Sequence, residues 1–220
     1  MPGVAPANSR PPLVEALFFL AHDEFTGKPQ VARPSLEICL IGAIFCDLLF
    51  TGRISVNDGC PEVTEKHGRG DRTSAAVLAE IAAEPAGYPL REWIDHLRPS
   101  VVHMVVDQLA DAGLVTRVSE RALLRRTHRY PPTDLLVAAA GLTEIRAAVL
   151  GPAGPDVYNV SLALLAWRLG LDDVCEPQVD RRMLRSWLDR AAKPMPPAAT
   201  EVLAAVEAAI AASVYGGERH

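Results

Sequence analysis

Apolar positions along this chain fall in blocks with the spacing of helices, punctuated by proline, glycine and charge. Residues 13–22 (LVEALFFLAH) predict a first apolar helix, opened by Pro11 and Pro12 and exhausted by Gly27 and Pro29. Pro34 and Ser35 introduce the strongest block, residues 36–50, with Ser35 as the expected N-cap and Thr51-Gly52 as the stop. Leu36, Leu40, Ala43, Phe45, Leu48 and Leu49, with Cys39, Cys46 and Gly42, leave this helix few polar positions, so other helices should surround it. Residues 54–56 predict a short strand, 57–72 an exposed loop rich in Gly, Asp, Lys and Arg, and 73–84 an Ala-rich helix. Two short amphipathic helices, 90–97 and 100–112, follow on either side of Pro99.

The period then changes. Residues 114–124 alternate in short runs around Ser119-Glu120 and predict two strands joined by a turn. Helical spacing resumes over 133–150, capped by Thr133, over 157–169, capped by Asp156, over 178–192 and over 198–214. No long Gly/Ser/Pro hinge divides the chain, so one domain is expected over 13–214. Residues 1–12, with four prolines, are expected to be a loose tail rather than a signal peptide, and 215–220 a C-terminal tail.

Composition narrows the class. The 220 residues are 49% hydrophobic but only 5% aromatic, which predicts an aliphatic, helix-rich core. Lys plus Arg is 22 against 27 Asp plus Glu, a net charge of −5, so no nucleic-acid partner is expected from charge alone. The four cysteines, Cys39, Cys46, Cys60 and Cys175, contain no CxxC pair and suit a reducing compartment. The longest apolar run carries Glu37 and Asp47 and is too short to span a bilayer, so any membrane contact should be peripheral.

Local chemistry stands out in one place. Arg117, Arg121, Arg125, Arg126 and Arg129, with His128, face a single acid, Glu120, in an otherwise acidic chain. Leu123 and Leu124 sit between Arg121 and Arg125. A hairpin tipped by two leucines and ringed by arginines has the physics of an anionic-membrane contact, each Arg gaining about 1 kcal/mol from the surface potential. The opposing expectation stays open: both leucines pack inward or in a seam between copies, and the arginines merely solubilise. A third reading, a winged-helix nucleic-acid binder, follows from the helix–helix–hairpin order. It is opposed by the second helix, which lacks Lys and Arg and carries Asp107 and Asp111. His103 and Asp107 are four apart and could meet, but no third ligand accompanies them, and His22-Asp23-Glu24 reads as an exposed polar turn. No HExxH, GxSxG or GxxxxGK[ST] motif appears, and no catalytic residue, metal ligand or cofactor is assigned. The glycosylation-like Asn159-Val160-Ser161 falls inside a predicted helix.

The runs FFLAHDEFTGKP and LEICLIGAIFCDLLFTGRISV resemble the bacterial members of the Golgi phosphoprotein 3 (GPP34-like) family over residues 19–56. VDQLADAGLV, with Leu123-Leu124, Arg129 and Pro131 after it, resembles that family's hairpin segment, and looser similarity runs from 13 to 212. The resemblance implies a mainly α, single helical domain: a buried helix core wrapped by amphipathic helices, with a β-hairpin projecting at about 114–130. It implies no catalytic role. Eukaryotic members bind phosphatidylinositol 4-phosphate, adapt glycosyltransferases for retention, and touch lipid and self-associate through the hairpin.

Lining up the Gly27 turn and the Gly42 helix places the family's headgroup-pocket tryptophan at Ala32 and its arginines at Ile41, Pro99 and Val102. None of these four can donate the charge-assisted bonds that grip a phosphate, so that pocket is not expected to be retained. Arg33, Arg53 and Arg98 lie close in sequence and could rebuild a different anion site. The expectation is a non-enzymatic peripheral membrane or adaptor protein, cytoplasmic or at the inner face of a bacterial cell membrane. It would contact anionic phospholipid through Arg121, Leu123, Leu124, Arg125, Arg126 and Arg129. The alternatives are a protein–protein or homo-oligomerisation module and a nucleic-acid binder.

Overall fold

The computed structural model describes residues 10–66, 70–84, 87–122, 125–150, 156–171 and 180–216, with the backbone alone at 120–122, 125–126 and 214–216. Eight helices and two hairpins are present among them, as the hydrophobic spacing predicts for a mainly α chain. They are α1 (Leu13–Leu20), α2 (Arg33–Phe50), β1 (Ile54–Asn57), β2 (Cys60–Val63), α3 (Arg72–Ala83) and α4 (Leu90–Asp111). β3 (Val118–Ala122), β4 (Arg125–Arg129), α5 (Leu135–Leu150), α6 (Val157–Arg168), α7 (Arg181–Ala191) and α8 (Pro197–Gly216) complete them.

The apolar α2 lies at the centre. Every residue from Ile38 to Cys46 is buried, because α1, α3, α4, α6 and α8 all pack on it. Gly42 permits a close approach of α8: a methyl group there would lie 2.5 Å from Val206 Cγ2. Helix α2 also caps α1. The Asp47 carboxylate accepts Leu13 N–H at 2.8 Å and Val14 N–H at 3.1 Å, two donors that the proline-led α1 would otherwise leave without partners. A polar bridge crosses the core edge, from Thr73 N–H to Gln108 Oε1 at 2.7 Å and from Gln108 Nε2 to Glu15 Oε1 at 2.7 Å, joining α3, α4 and α1.

Several local expectations give way. Ser35 is not the N-cap of α2: the helix starts three residues earlier than expected, with Ala32 at the cap and Pro34 in the first turn, where a missing N–H costs nothing. The segment 57–72 is not all loop. Asp58 (φ 51°) and Gly59 (φ 74°) form a two-residue turn, and β2 pairs back on β1 in register Ile54↔Val63 to Asn57↔Cys60. Thr133 does not cap α5. Its hydroxyl donates to Gly113 O at 2.6 Å, and the Asp134 carboxylate accepts Leu136 N–H instead.

Pro99 does not divide 90–112 into two helices; α4 is continuous through it. An internal proline costs about 3 kcal/mol. Here Trp93, Ile94 and Leu97 before it and Val101, Val105 and Leu109 after it are all buried on the core side, and that shared burial outweighs the lost bond. The helix-turn-helix pair of the winged-helix reading is therefore not formed. Asp156 caps α6 as expected, accepting Asn159 N–H at 2.9 Å, and Asn159 and Ser161 are buried inside that helix.

Candidate functional site

Two features set the β3–β4 hairpin on the body. Its strands pair from Val118↔Arg129 to Ala122↔Arg125, and a bridge at Val115↔Pro132 continues the pairing to the foot of α5. On the other side, Gly27 receives Tyr130 N–H on its carbonyl at 2.9 Å. Gly27 has φ +64°, and a methyl group there would lie 2.1 Å from Pro131 N, so only glycine lets the α1–α2 turn approach the hairpin base this closely. The turn is itself closed by the Asp23 carboxylate, which accepts from Thr26 N–H and Thr26 Oγ1–H, both at 2.7 Å, and these bonds hold Asp23 below the usual carboxylate range.

The turn, the start of α2, the middle of α4 and strand β4 together enclose a cavity of about 620 Å³. Lys28, Arg33, His128 and Arg129 bring basic side chains to it, Leu36 and Val102 form apolar wall, and no carboxylate is among its described lining residues. Arg33 reaches it while its Nε donates to Glu37 Oε1 at 2.8 Å, one turn further along α2. His128 Nδ1 lies 3.1 Å from Ser119 Oγ across the hairpin. Tyr130 and His22 form the inner wall. The Tyr130 hydroxyl is pushed up by burial, and the nearby Arg33 and Arg117 guanidinium groups act in the opposite sense.

His22 departs from its expected role. It is not part of an exposed polar turn but is 4% exposed, stacked on Phe18 with ring centroids 4.0 Å apart and set edge-on to Tyr130 at 5.9 Å. Its Nδ1 lies 2.7 Å from Phe18 O, and because a carbonyl only accepts, that nitrogen carries the proton. Burial pulls the imidazole down to about 4, against the modest opposing pull of this hydrogen bond. His22 is thus neutral near pH 7, and the positive charge of the cavity comes from its Lys and Arg residues.

The residues singled out in the sequence separate into groups. Arg129 and Val102 line the cavity, and Ala32 immediately precedes Arg33 at the start of α2. Ile41 is fully buried in α2, and Pro99 lies inside α4. Arg121, Arg125 and Arg126 stand on the paired strands by their backbone register, and Leu123 and Leu124 lie outside the described residues. Of the substitute arginines, Arg33 alone lines the cavity. Arg53 is buried and donates to Glu65 O and Lys66 O at 3.3 and 3.2 Å, tying down the end of β2, while Arg98 lies 3.9 Å from Glu37 and 4.0 Å from Asp95. Arg117 pairs with Asp107, so Asp107 meets that guanidinium while His103, four residues back, is exposed. Lys28, His22, His128 and Tyr130 were not legible as one group, since no motif links residues a hundred positions apart.

A second cavity, of about 580 Å³, opens beside Arg10, Asp47, Asp71, Asp156 and Tyr158, but its acids serve the fold. Asp47 caps α1, Asp71 accepts Ser74 N–H at 2.8 Å, and Asp156 caps α6 and pairs with Arg10. Among the described residues no group of three or more His, Cys, Asp or Glu side chains could hold a metal ion, and no helix is long and apolar enough to cross a membrane.

The molecule is thus a helical scaffold with one group of basic side chains, Lys28, Arg33, His128 and Arg129, at the base of a β-hairpin. The sequence model of the Golgi phosphoprotein 3 (GPP34) family matches residues 13–212, and the chain belongs to that family. No match is found among the curated proteins.

Proposed function

We propose that this chain is a non-enzymatic peripheral membrane or adaptor protein that docks on anionic phospholipid at the inner face of a bacterial cell membrane. The cavity at the hairpin base and the hairpin residues Arg121, Leu123, Leu124, Arg125, Arg126 and Arg129 form its contact surface. One observation carries the reading: on a chain of net charge −5, Lys28, Arg33, His128 and Arg129 converge on one opening with no carboxylate among its described lining residues. That is the electrostatic complement of a phosphate-bearing surface. Ala32, Ile41, Pro99 and Val102 supply no donors, so the contact follows charge density rather than the family's phosphoinositide pocket. With about 1 kcal/mol per cation near an anionic surface, binding is weak, reversible and screened by salt.

Flotation with vesicles of phosphatidylcholine alone, and with phosphatidylserine added, tests it at low and at high salt. The protein is expected to float only with the anionic vesicles and to be released by salt. Equal failure to float with both at low salt contradicts the reading.

A further inference from the structure

We propose that Phe25, Leu135 and Leu136 form an apolar rim that enters the headgroup boundary of an anionic bilayer while the adjacent cavity meets its phosphates. The proposal rests on the lipid-docking reading above and adds to it a surface outside the hairpin. Phe25 is 69% exposed at the tip of the α1–α2 turn, and Leu135 and Leu136 are 48% and 81% exposed at the start of α5. The two sites are neighbours: Asp23 and Glu24 of the turn face Ala138 and Ala139, one helical turn beyond the leucines, across a small cleft. Both are fixed to the hairpin base, the turn through Gly27 and Tyr130 and the foot of α5 through Val115 and Pro132.

Large apolar side chains presented this way beside basic ones match an interfacial contact, in which apolar groups sit 5–10 Å deep, on the order of one side-chain layer, and cations stay at the phosphates. Charge complementarity selects the occupant, since Lys28 follows Phe25 by three residues and lines the cationic cavity. The rim also carries the carboxylates of Asp23, which accepts within its own turn, of Asp134, which accepts Leu136 N–H, and of Glu24, so the cations that meet the phosphates are those of the cavity, Lys28, Arg33 and Arg129. Leu150, 63% exposed, stands about 21 Å from Leu136 along the same helix and serves as an internal control.

Equilibrium binding to vesicles of phosphatidylcholine with phosphatidylserine is measured for the wild type, Phe25→Ser, Leu136→Ser, their combination and Leu150→Ser, with oligomer mass recorded in vesicle-free solution. Each rim substitution should weaken binding about tenfold, the pair about a hundredfold, and Leu150→Ser should leave it unchanged. All these side chains are exposed, so the variants should fold. Wild-type binding that persists undiminished in the double variant overturns the rim and leaves the lipid reading standing. A double variant that changes oligomer mass but not vesicle affinity assigns the rim to a seam between copies and also overturns it. Absence of wild-type binding overturns both.

Discussion

His22 is a buried neutral imidazole at the wall of the candidate site, and its burial has a consequence that can be measured. The folded state holds its pKa at about 4 against an ordinary 6.5. Between these values the unfolded chain binds a proton that the folded chain does not, so this group's contribution is complete above pH 6.5 and is lost as the pH falls towards 4. The full loss is about 3 kcal/mol, of which about 2 kcal/mol has gone by pH 5. Asp47 titrates with the opposite sign over the same range, so the raw pH profile does not isolate His22. The difference between wild type and His22→Gln does. Glutamine keeps a donor for Phe18 O and carries no titratable proton. Urea unfolding at pH 8 and pH 5 should show the wild-type-minus-variant stability falling by about 2 kcal/mol, equivalent to about 4–8 °C in Tm. A difference constant to within about 0.5 kcal/mol would refute the reasoning, because an imidazole free to protonate in place is not desolvated at the cavity wall.

Asp47 should behave in the opposite way. Burial raises its carboxyl to about 7 from 3.8, so its contribution is greatest at low pH and is lost as the pH rises towards 7; Asp47→Asn should remove about 2.5 kcal/mol of stability change between pH 5 and pH 8, read by the same urea titrations. Gly27→Ala combines a disfavoured positive φ with a backbone clash at Pro131 and should cost about 3 kcal/mol or more; a loss under about 1 kcal/mol contradicts the close approach of turn and hairpin. Cys39 and Cys46 are fully buried and burial pushes their thiols up to about 12, so site-resolved alkylation of the native protein should label the half-buried Cys60 well before either.

The helices were legible because burial and period agree over long blocks: the nearly all-apolar 36–50 run became the central helix, and Asp156 caps α6 where its spacing predicts. Errors occurred where a local signal met a stronger tertiary one. Pro99 reads as a break, yet apolar residues on both sides of it share one buried face. Asp58-Gly59 is a hairpin turn that the surrounding charge concealed. His22 follows an apolar helix with two acids behind it and reads as solvent-exposed, because the Tyr130 ring that covers it lies more than a hundred residues away. The same separation hid the cavity: arginine density in the hairpin was visible, but its convergence with Lys28 and Arg33 depends on Gly27, whose role appears only when the chain is folded.

The most direct test of the cationic cavity compares two variants with the same change in net charge, Lys28→Glu inside it and Lys193→Glu, an exposed lysine after α7 that does not line it. Their binding curves on phosphatidylserine-containing vesicles at low salt should diverge, with Lys28→Glu weakened about tenfold or more and Lys193→Glu close to wild type. Equal curves for the two would mean that the protein responds to overall charge alone and that the cavity is not the contact.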